Sequence, residues 1–121
     1  MVNTKKALHN AYFRFNKLLE ALEQGQQFPR LDDLEKKLLN LIAEASYDSK
    51  PFLVSDVIFL SSIGSPATLS RRLNSLAKKN LIVYMNGDDG RKKFLELTSK
   101  SKKYFTELEK LILLAGKMSR H

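Results

Sequence analysis

The fold is decided by one stretch between Ser62 and Thr98, which reads SIGSPATLSRRLNSLAKKNLIVYMNGDDGRKKFLELT. Its first part holds a helix start, because Ser65 is a good N-cap and Pro66 suits the first helical position. The turns that follow carry leucines three or four residues apart, which share one helical face: Leu69, Leu73 and Leu76. We therefore predict a helix from Pro66 to about Lys79 whose leucine face is buried.

The opposite face of this helix is small, polar and basic. It contains the residues that lie away from the leucines at 100° per residue, with Thr68 at the side: Ala67, Arg71, Asn74, Ser75 and Lys78. Such a face is suited to a nucleic acid, although an exposed arginine is also compatible with simple solvation. Arg72 lies at the border of the leucine face. For this residue the alternative to a nucleic-acid contact is an ion pair with a carboxylate within the fold.

The second part of the stretch predicts a β-hairpin. The β-rich segment 81–85 is followed by the turn 86–90, which holds two glycines, and by a second strand over 91–97. Upstream, Pro51 opens the apolar segment 52–60, which periodicity alone cannot assign, and the glycine turn and helix that follow favour a helix there. Together these elements predict a helix-turn-helix whose second helix has the dimensions of the DNA major groove, followed by a two-stranded wing.

Long amphipathic helices flank this core. Apolar residues at three- and four-residue steps predict a helix over 4–24 that Gly25 ends, and a second over 31–46. Thr98 or Ser99 caps a last helix. The fold class is mostly α (α+β), a winged helix-turn-helix, and we expect one domain over 1–121, with dimerisation helices over 1–30 and 99–121 and a DNA-binding core over 31–98.

Composition excludes several classes of protein. The chain has 121 residues, 43% of them hydrophobic and 28% charged, which favours a single soluble domain over a disordered or membrane-spanning chain. The first residues lack the pattern of a secretory signal, so a cytoplasmic protein is expected. With no cysteine and only His9 and His121, we expect no disulfide, metal site, cofactor or catalytic triad, and therefore no enzyme.

Charge is concentrated in one segment. The chain has a formal net charge of +8, and residues 65–103 hold ten basic against three acidic residues. Residues 31–64, in contrast, hold three basic against six acidic ones. A basic segment of this kind indicates a surface that faces a polyanion, although a charge run can also be no more than a solvated face.

The core resembles the MarR family of bacterial transcription regulators. The family's wing pattern, D-x-R-x-x-x-L-x-L-T, is filled at every fixed position from Asp89 to Thr98, and segments 65–73 and 76–82 resemble its recognition helix and the exit into the wing. The likeness covers residues 31–118. Asn80 and Ser101 stand where the family often has glycine, and asparagine tolerates the left-handed conformation required there.

The resemblance implies a homodimer held by the terminal helices, with each recognition helix in a major groove and each wing in a neighbouring minor groove. It implies that Arg91 enters the minor groove and that Asp89 orients its guanidinium, unless Asp89 is an ordinary turn residue. The candidate DNA contacts are Ser65, Ala67, Thr68, Arg71, Asn74, Ser75, Lys78, Asp89, Arg91, Lys92 and Lys93. The candidate dimer contacts are Leu8, Tyr12, Phe15, Leu19, Leu108, Leu111, Ile112 and Ala115.

The leading hypothesis is a sequence-specific regulator that binds double-stranded DNA in the cytoplasm, associated with the nucleoid, and acts as a repressor by the habit of the family. The alternative is a winged-helix module whose basic face binds an acidic protein. A small-molecule effector is a further candidate partner, since aromatic residues on the terminal helices either line a ligand cavity or simply pack: Tyr12, Phe15, Tyr104 and Phe105.

Overall fold

A computed structural model describes residues 9–117 of the chain. They form two compact units, one over 31–102 and the other over 9–30 together with 103–117. In chain order the elements are helices α1 (Ala11–Gln24), α2 (Asp33–Tyr47), α3 (Val54–Ile58) and α4 (Pro66–Lys78), strands β1 (Ile82–Asn86) and β2 (Lys93–Leu97), and helix α5 (Ser99–Lys117).

The core of the unit over 31–102 is built from leucines and isoleucines of three helices and the hairpin. The predicted leucine face of α4 is buried, as expected. The buried side chains come from α2, α3, α4 and the strand region: Leu38, Leu39, Ile42, Val57, Leu69, Leu73, Leu76, Leu81, Ile82, Leu95 and Leu97. Each contributes about 1.5–3 kcal/mol by leaving water, so this core fixes how α4 is presented.

Both ends of α4 are closed by the residues that the sequence indicated. The Ser65 hydroxyl accepts a hydrogen bond from the Thr68 amide at 3.2 Å, and Pro66 occupies the first turn. At the other end Asn80 has a φ of +62°, and Leu81 N–H donates to Leu76 O at 3.0 Å, which closes a Schellman motif. The expected tolerance of Asn80 for the left-handed conformation is thereby confirmed.

The wing is an antiparallel pair with Ile82 opposite Leu97 and Asn86 opposite Lys93. The predicted strands were slightly misplaced, since β1 continues through Asn86 and β2 begins only at Lys93. The loop between them spans residues 87–92, so its basic residues are presented before the second strand begins.

The segment before α3 corrects the prediction of a helix over 52–60. Leu53 pairs with Phe94, and Leu95 N–H donates to Phe52 O at 2.9 Å, so residues 52–53 extend along the outer side of β2. The helix therefore covers only Val54–Ile58. The extended residues satisfy the open edge of β2, which a helix could not do.

Helix α5 begins with a reciprocal pair of side-chain caps. Thr98 Oγ1 accepts from Ser101 N–H at 3.1 Å, while Ser101 Oγ accepts from Thr98 N–H at 3.0 Å. Thr98 also donates to Asn80 O at 2.7 Å, which ties the start of α5 to the end of α4. Ser101 is fully buried, and its hydroxyl serves the start of α5.

The second unit contains α1 and the rest of α5. Helix α1 begins at Ala11 with Asn10 as its N-cap. The predicted start of a helix at residue 4 lies outside the described residues. Arg14 is buried, and its Nε donates to Ala115 O at 2.9 Å. The Tyr104 ring stacks edge-on against Phe28 and Phe105.

Candidate nucleic-acid interface

The outward face of α4 is open to solvent. Ala67, Arg71, Asn74 and Lys78 are exposed, and Thr68 is half-buried. Within residues 9–117, neither Arg71 nor Lys78 forms a hydrogen bond or ion pair through its side chain. Two cationic side chains separated by about two helical turns are therefore available to a partner on one helix face.

Ser75 lies at the edge of this face and is also used within the fold, so its role as a DNA contact stays a prediction. Its hydroxyl donates to Glu35 Oε2 at 2.8 Å, and the residue is half-buried between α4 and α2. Ser65 is similarly occupied, because its hydroxyl caps α4 and donates to Thr68 Oγ1 at 2.9 Å. Ser65 is nevertheless exposed at the N-terminus of α4, a position that favours anions.

A buried carboxylate holds α4 against α2. Glu35 accepts hydrogen bonds from Lys79 Nζ at 2.7 and 3.0 Å, in addition to the bond from Ser75. Burial would raise the pKa of Glu35, but the bonds from Lys79, from the Asp32 amide and from Ser75, with the charge of Lys79, lower that pKa below its ordinary value. The ion pair between Glu35 and Lys79 therefore fixes the rotation of α4 about its axis.

Arg72 provides a second link between the same helices. Its Nε lies 3.1 Å from Asp32 Oδ2, as an ion pair rather than an aligned hydrogen bond. This confirms the alternative that the sequence left open for Arg72. Asp32 also caps α2 through its bond from the Glu35 amide at 2.8 Å, so one carboxylate serves both helices.

The tip of the wing is a tight turn organised by Asp89. Its Oδ1 accepts hydrogen bonds from the backbone amides of Arg91 at 3.0 Å and Lys92 at 3.2 Å. Gly90 adopts a φ of +71°, a conformation that is strained for residues that carry a side chain. The expectation that Asp89 orients the Arg91 guanidinium is corrected: within the described residues the two side chains form no ion pair, and the carboxylate is the turn residue of the alternative interpretation.

The cationic side chains of the wing are nonetheless presented together. Arg91, Lys92 and Lys93 are all exposed, and none forms a side-chain hydrogen bond or ion pair within the described range. The two bonds to Asp89 fix the backbone amides of Arg91 and Lys92, so the three successive cations follow directly from an ordered turn. This geometry is compatible with close approach to a polyanion.

One contact between the wing and α4 has no signal in the sequence. The Tyr84 hydroxyl donates to Asn74 Oδ1 at 3.0 Å and so links β1 to the exposed face of α4. Neither the strand pattern nor the helix pattern indicates this pair, because it depends on the tertiary placement of the hairpin.

The predicted dimer contacts divide into three groups. Tyr12 is 65% and Ile112 59% exposed, whereas Phe15, Leu19, Leu108 and Leu111 are half-buried. Ala115 is only 2% exposed, and its carbonyl oxygen accepts from Arg14 Nε; since its side chain is already buried within the chain, its prediction as a dimer contact is corrected. Leu8 lies outside the described residues. The sequence analysis missed three further exposed apolar side chains: Phe13, Leu113 and Leu114.

The terminal aromatics contact one another within their unit, as the packing alternative expected for Tyr104 and Phe105. A cavity of about 750 Å³ lies elsewhere, on the outer face of the hairpin, and none of the aromatics proposed for a ligand lines it. Its walls are formed by Pro51, Val83, Met85, Asn86, Gly87, Asp88, Asp89, Lys92, Phe94, Glu96 and Leu97.

Over residues 9–117, no group of three or more histidine, aspartate and glutamate side chains is placed to hold a metal ion. In the same part of the chain, no helix is both long and apolar enough to cross a bilayer.

Comparison with known proteins bears on the fold. No protein-family model matches the chain, and no curated protein matches its sequence. Among solved structures, a mutant of ZitR from Lactococcus lactis is similar, with a TM-score of 0.52 and 17% identity, over 90% of this chain and 82% of that one. At this identity the likeness shows the fold alone. The chain has a helix-rich α+β, winged helix-turn-helix fold.

Proposed function

We propose that this protein is a sequence-specific regulator of transcription that binds double-stranded DNA, a member of the MarR family, and acts as a homodimeric repressor. The proposal rests on the two different environments of the basic side chains within residues 65–103. Arg72 and Lys79 are used within the fold to hold α4, whereas the cations of its outward face and of the wing tip are free for a partner.

The shape of this surface favours DNA over an acidic protein. A helix with small and polar residues between its cations enters a major groove, and an arginine on a glycine turn fits a narrow minor groove. The winged helix-turn-helix fold, which is similar to that of ZitR, is compatible with the same assignment. In this role the protein works on DNA in the cytoplasm and needs neither a cofactor nor catalytic groups.

The proposal of a dimer rests on the exposed apolar residues of the terminal helices. Tyr12 and Phe13 on α1, and Ile112, Leu113 and Leu114 on α5, expose large apolar surfaces. Several large apolar side chains exposed on the same two helices are typical of an interaction site. A two-fold dimer brings two copies of α4 to successive major grooves, so the bound site is a pseudo-palindrome.

Selection of duplexes from a random library by the purified full chain tests the function. We expect enrichment of a pseudo-palindrome with half-sites about 10 base pairs apart, and sedimentation equilibrium at about twice the 13.9 kDa chain mass. Arg71→Ala should reduce the enrichment, while Lys37→Ala, which removes the same charge from the exposed side of α2, should preserve it. A wild-type protein that enriches no sequence would contradict the proposal.

A further inference from the structure

The hydrogen bond between Tyr84 and Asn74 sets the chemistry that α4 presents. Tyr84 is half-buried and Asn74 exposed, so the phenol reaches from the wing to the outward helix face. Burial raises the pKa of Tyr84 above its ordinary value, so the hydroxyl keeps its proton at neutral pH. The phenol is therefore a permanent donor to Asn74 Oδ1.

This bond leaves the carbonyl oxygen and the NH₂ group of the Asn74 amide with different hydrogen bonding. Oδ1 is engaged by the phenol at 3.0 Å. Within the described residues, Nδ2 has no hydrogen-bond partner, so both of its N–H donors are available to solvent or to a ligand. The side chain thus offers a partner two donors, while the phenol engages one of the two lone pairs of Oδ1 and holds that oxygen toward the wing.

The bases differ in what they offer such a side chain in the major groove. An asparagine that recognises adenine uses its oxygen to accept from adenine N6 and its nitrogen to donate to N7. Guanine instead displays two acceptors, O6 and N7, side by side. An amide whose oxygen is held by the phenol and whose NH₂ is free can donate to both acceptors of guanine but only to N7 of adenine, so it favours guanine.

We propose that Tyr84 is a positioning residue that holds Asn74 as a hydrogen-bond donor, so that Asn74 selects guanine over adenine in each half-site. The inference rests on the proposed function, because it requires that α4 reads DNA. It assigns a specificity role to a residue of the wing that acts through Asn74.

The test compares base preference in wild type, Asn74→Ala and Tyr84→Phe, each as the full chain, by selection and by competition titrations. The position whose preference Asn74→Ala abolishes defines the base that Asn74 reads. We expect guanine there in the wild type, favoured over adenine by about 5- to 150-fold, the range for one good base contact. Tyr84→Phe should reduce that ratio several-fold at the same position, and adding it to Asn74→Ala should change the ratio no further.

Tyr47→Phe is the matched control, since it removes a phenol hydroxyl from an exposed site on α2 and should leave every preference unchanged. Thermal unfolding of each variant separates a specificity change from a loss of folded protein. Adenine at the Asn74-dependent position, or an unchanged ratio in Tyr84→Phe, would overturn the inference while leaving DNA binding intact. A wild type that enriches no sequence overturns the proposed function together with the inference.

Discussion

The buried Glu35 carboxylate offers a quantitative test of how α4 is held. Glu35→Gln keeps the shape of the side chain but removes the charge that Lys79 and Ser75 bind. The Glu35 side chain is 4% exposed, so the lost charge-assisted bonds are desolvated ones, each of which contributes about 1.5–3 kcal/mol. Lys79 is 29% exposed and regains water when its partner is neutral, which keeps the loss below that of a fully buried pair. We expect the free energy of unfolding to fall by about 2–3 kcal/mol.

The dependence of this loss on pH has a defined sign. The pKa of Glu35 is lowered from its ordinary value of 4.5 in the folded protein, so protonation favours the unfolded chain. The stabilisation is complete above the unfolded value and is lost as the pH falls through the lower, folded value. Wild type and Glu35→Gln should therefore differ by a constant amount between about pH 6 and 8, and the difference should shrink in acid.

Urea unfolding followed by circular dichroism measures both effects. Glu44→Gln, which neutralises an exposed carboxylate of the same helix, is the control and should stay within about 0.5 kcal/mol of wild type. A Glu35→Gln variant as stable as this control at pH 7, or a difference that grows in acid, would refute the reasoning.

The remaining predictions concern the interface and one strained residue. Arg71→Ala should lose roughly 1–3 kcal/mol of binding free energy on a selected duplex and little on random DNA, and equal losses on the two would show that Arg71 contacts the DNA backbone. Lys78→Ala should weaken binding to both duplexes alike and lower the slope of log affinity against log salt by about one. Asp89→Ala frees two wing amides and should weaken operator binding although the protein becomes more basic, so tighter binding in anisotropy titrations would disprove the ordered turn. Arg91→Lys should bind a selected duplex more weakly than wild type in the same titrations, because lysine lacks the planar fork, and equal affinity would show that charge suffices. Ser49 has a φ of +59°, which is unfavourable for a residue with a side chain, so Ser49→Gly should raise the free energy of unfolding by about 0.5–1 kcal/mol. An unchanged urea midpoint would contradict this.

Local signals explain which parts of the fold could be predicted from the sequence. Ser65, Pro66 and the leucine spacing define α4 without any tertiary information, and the glycines of 86–90 define the hairpin. The extended Phe52–Leu53 could not be predicted, because only pairing with β2, about forty residues away, decides it.

The candidate site shows the same limit at the level of single side chains. Ser75 lies at the edge of the polar face, and only the position of Glu35 on another helix turns it inward. Asp89 could bind a guanidinium or backbone amides, and the turn geometry selects the amides. Partners that are distant in sequence or that compete for one carboxylate are not encoded in local spacing.

Tethered cleavage of bound DNA tests most directly whether α4 and the wing form the DNA-binding face. The chain has no cysteine, so Ala67→Cys on α4 and Asp88→Cys at the wing tip each accept one iron chelate, while wild type accepts none and serves as control. On a selected duplex, both variants should cut at discrete positions in each half-site, with the two sets of cuts offset by about half a helical turn, roughly five base pairs. Diffuse cutting from both positions, or no cutting above that of wild type, would contradict the account.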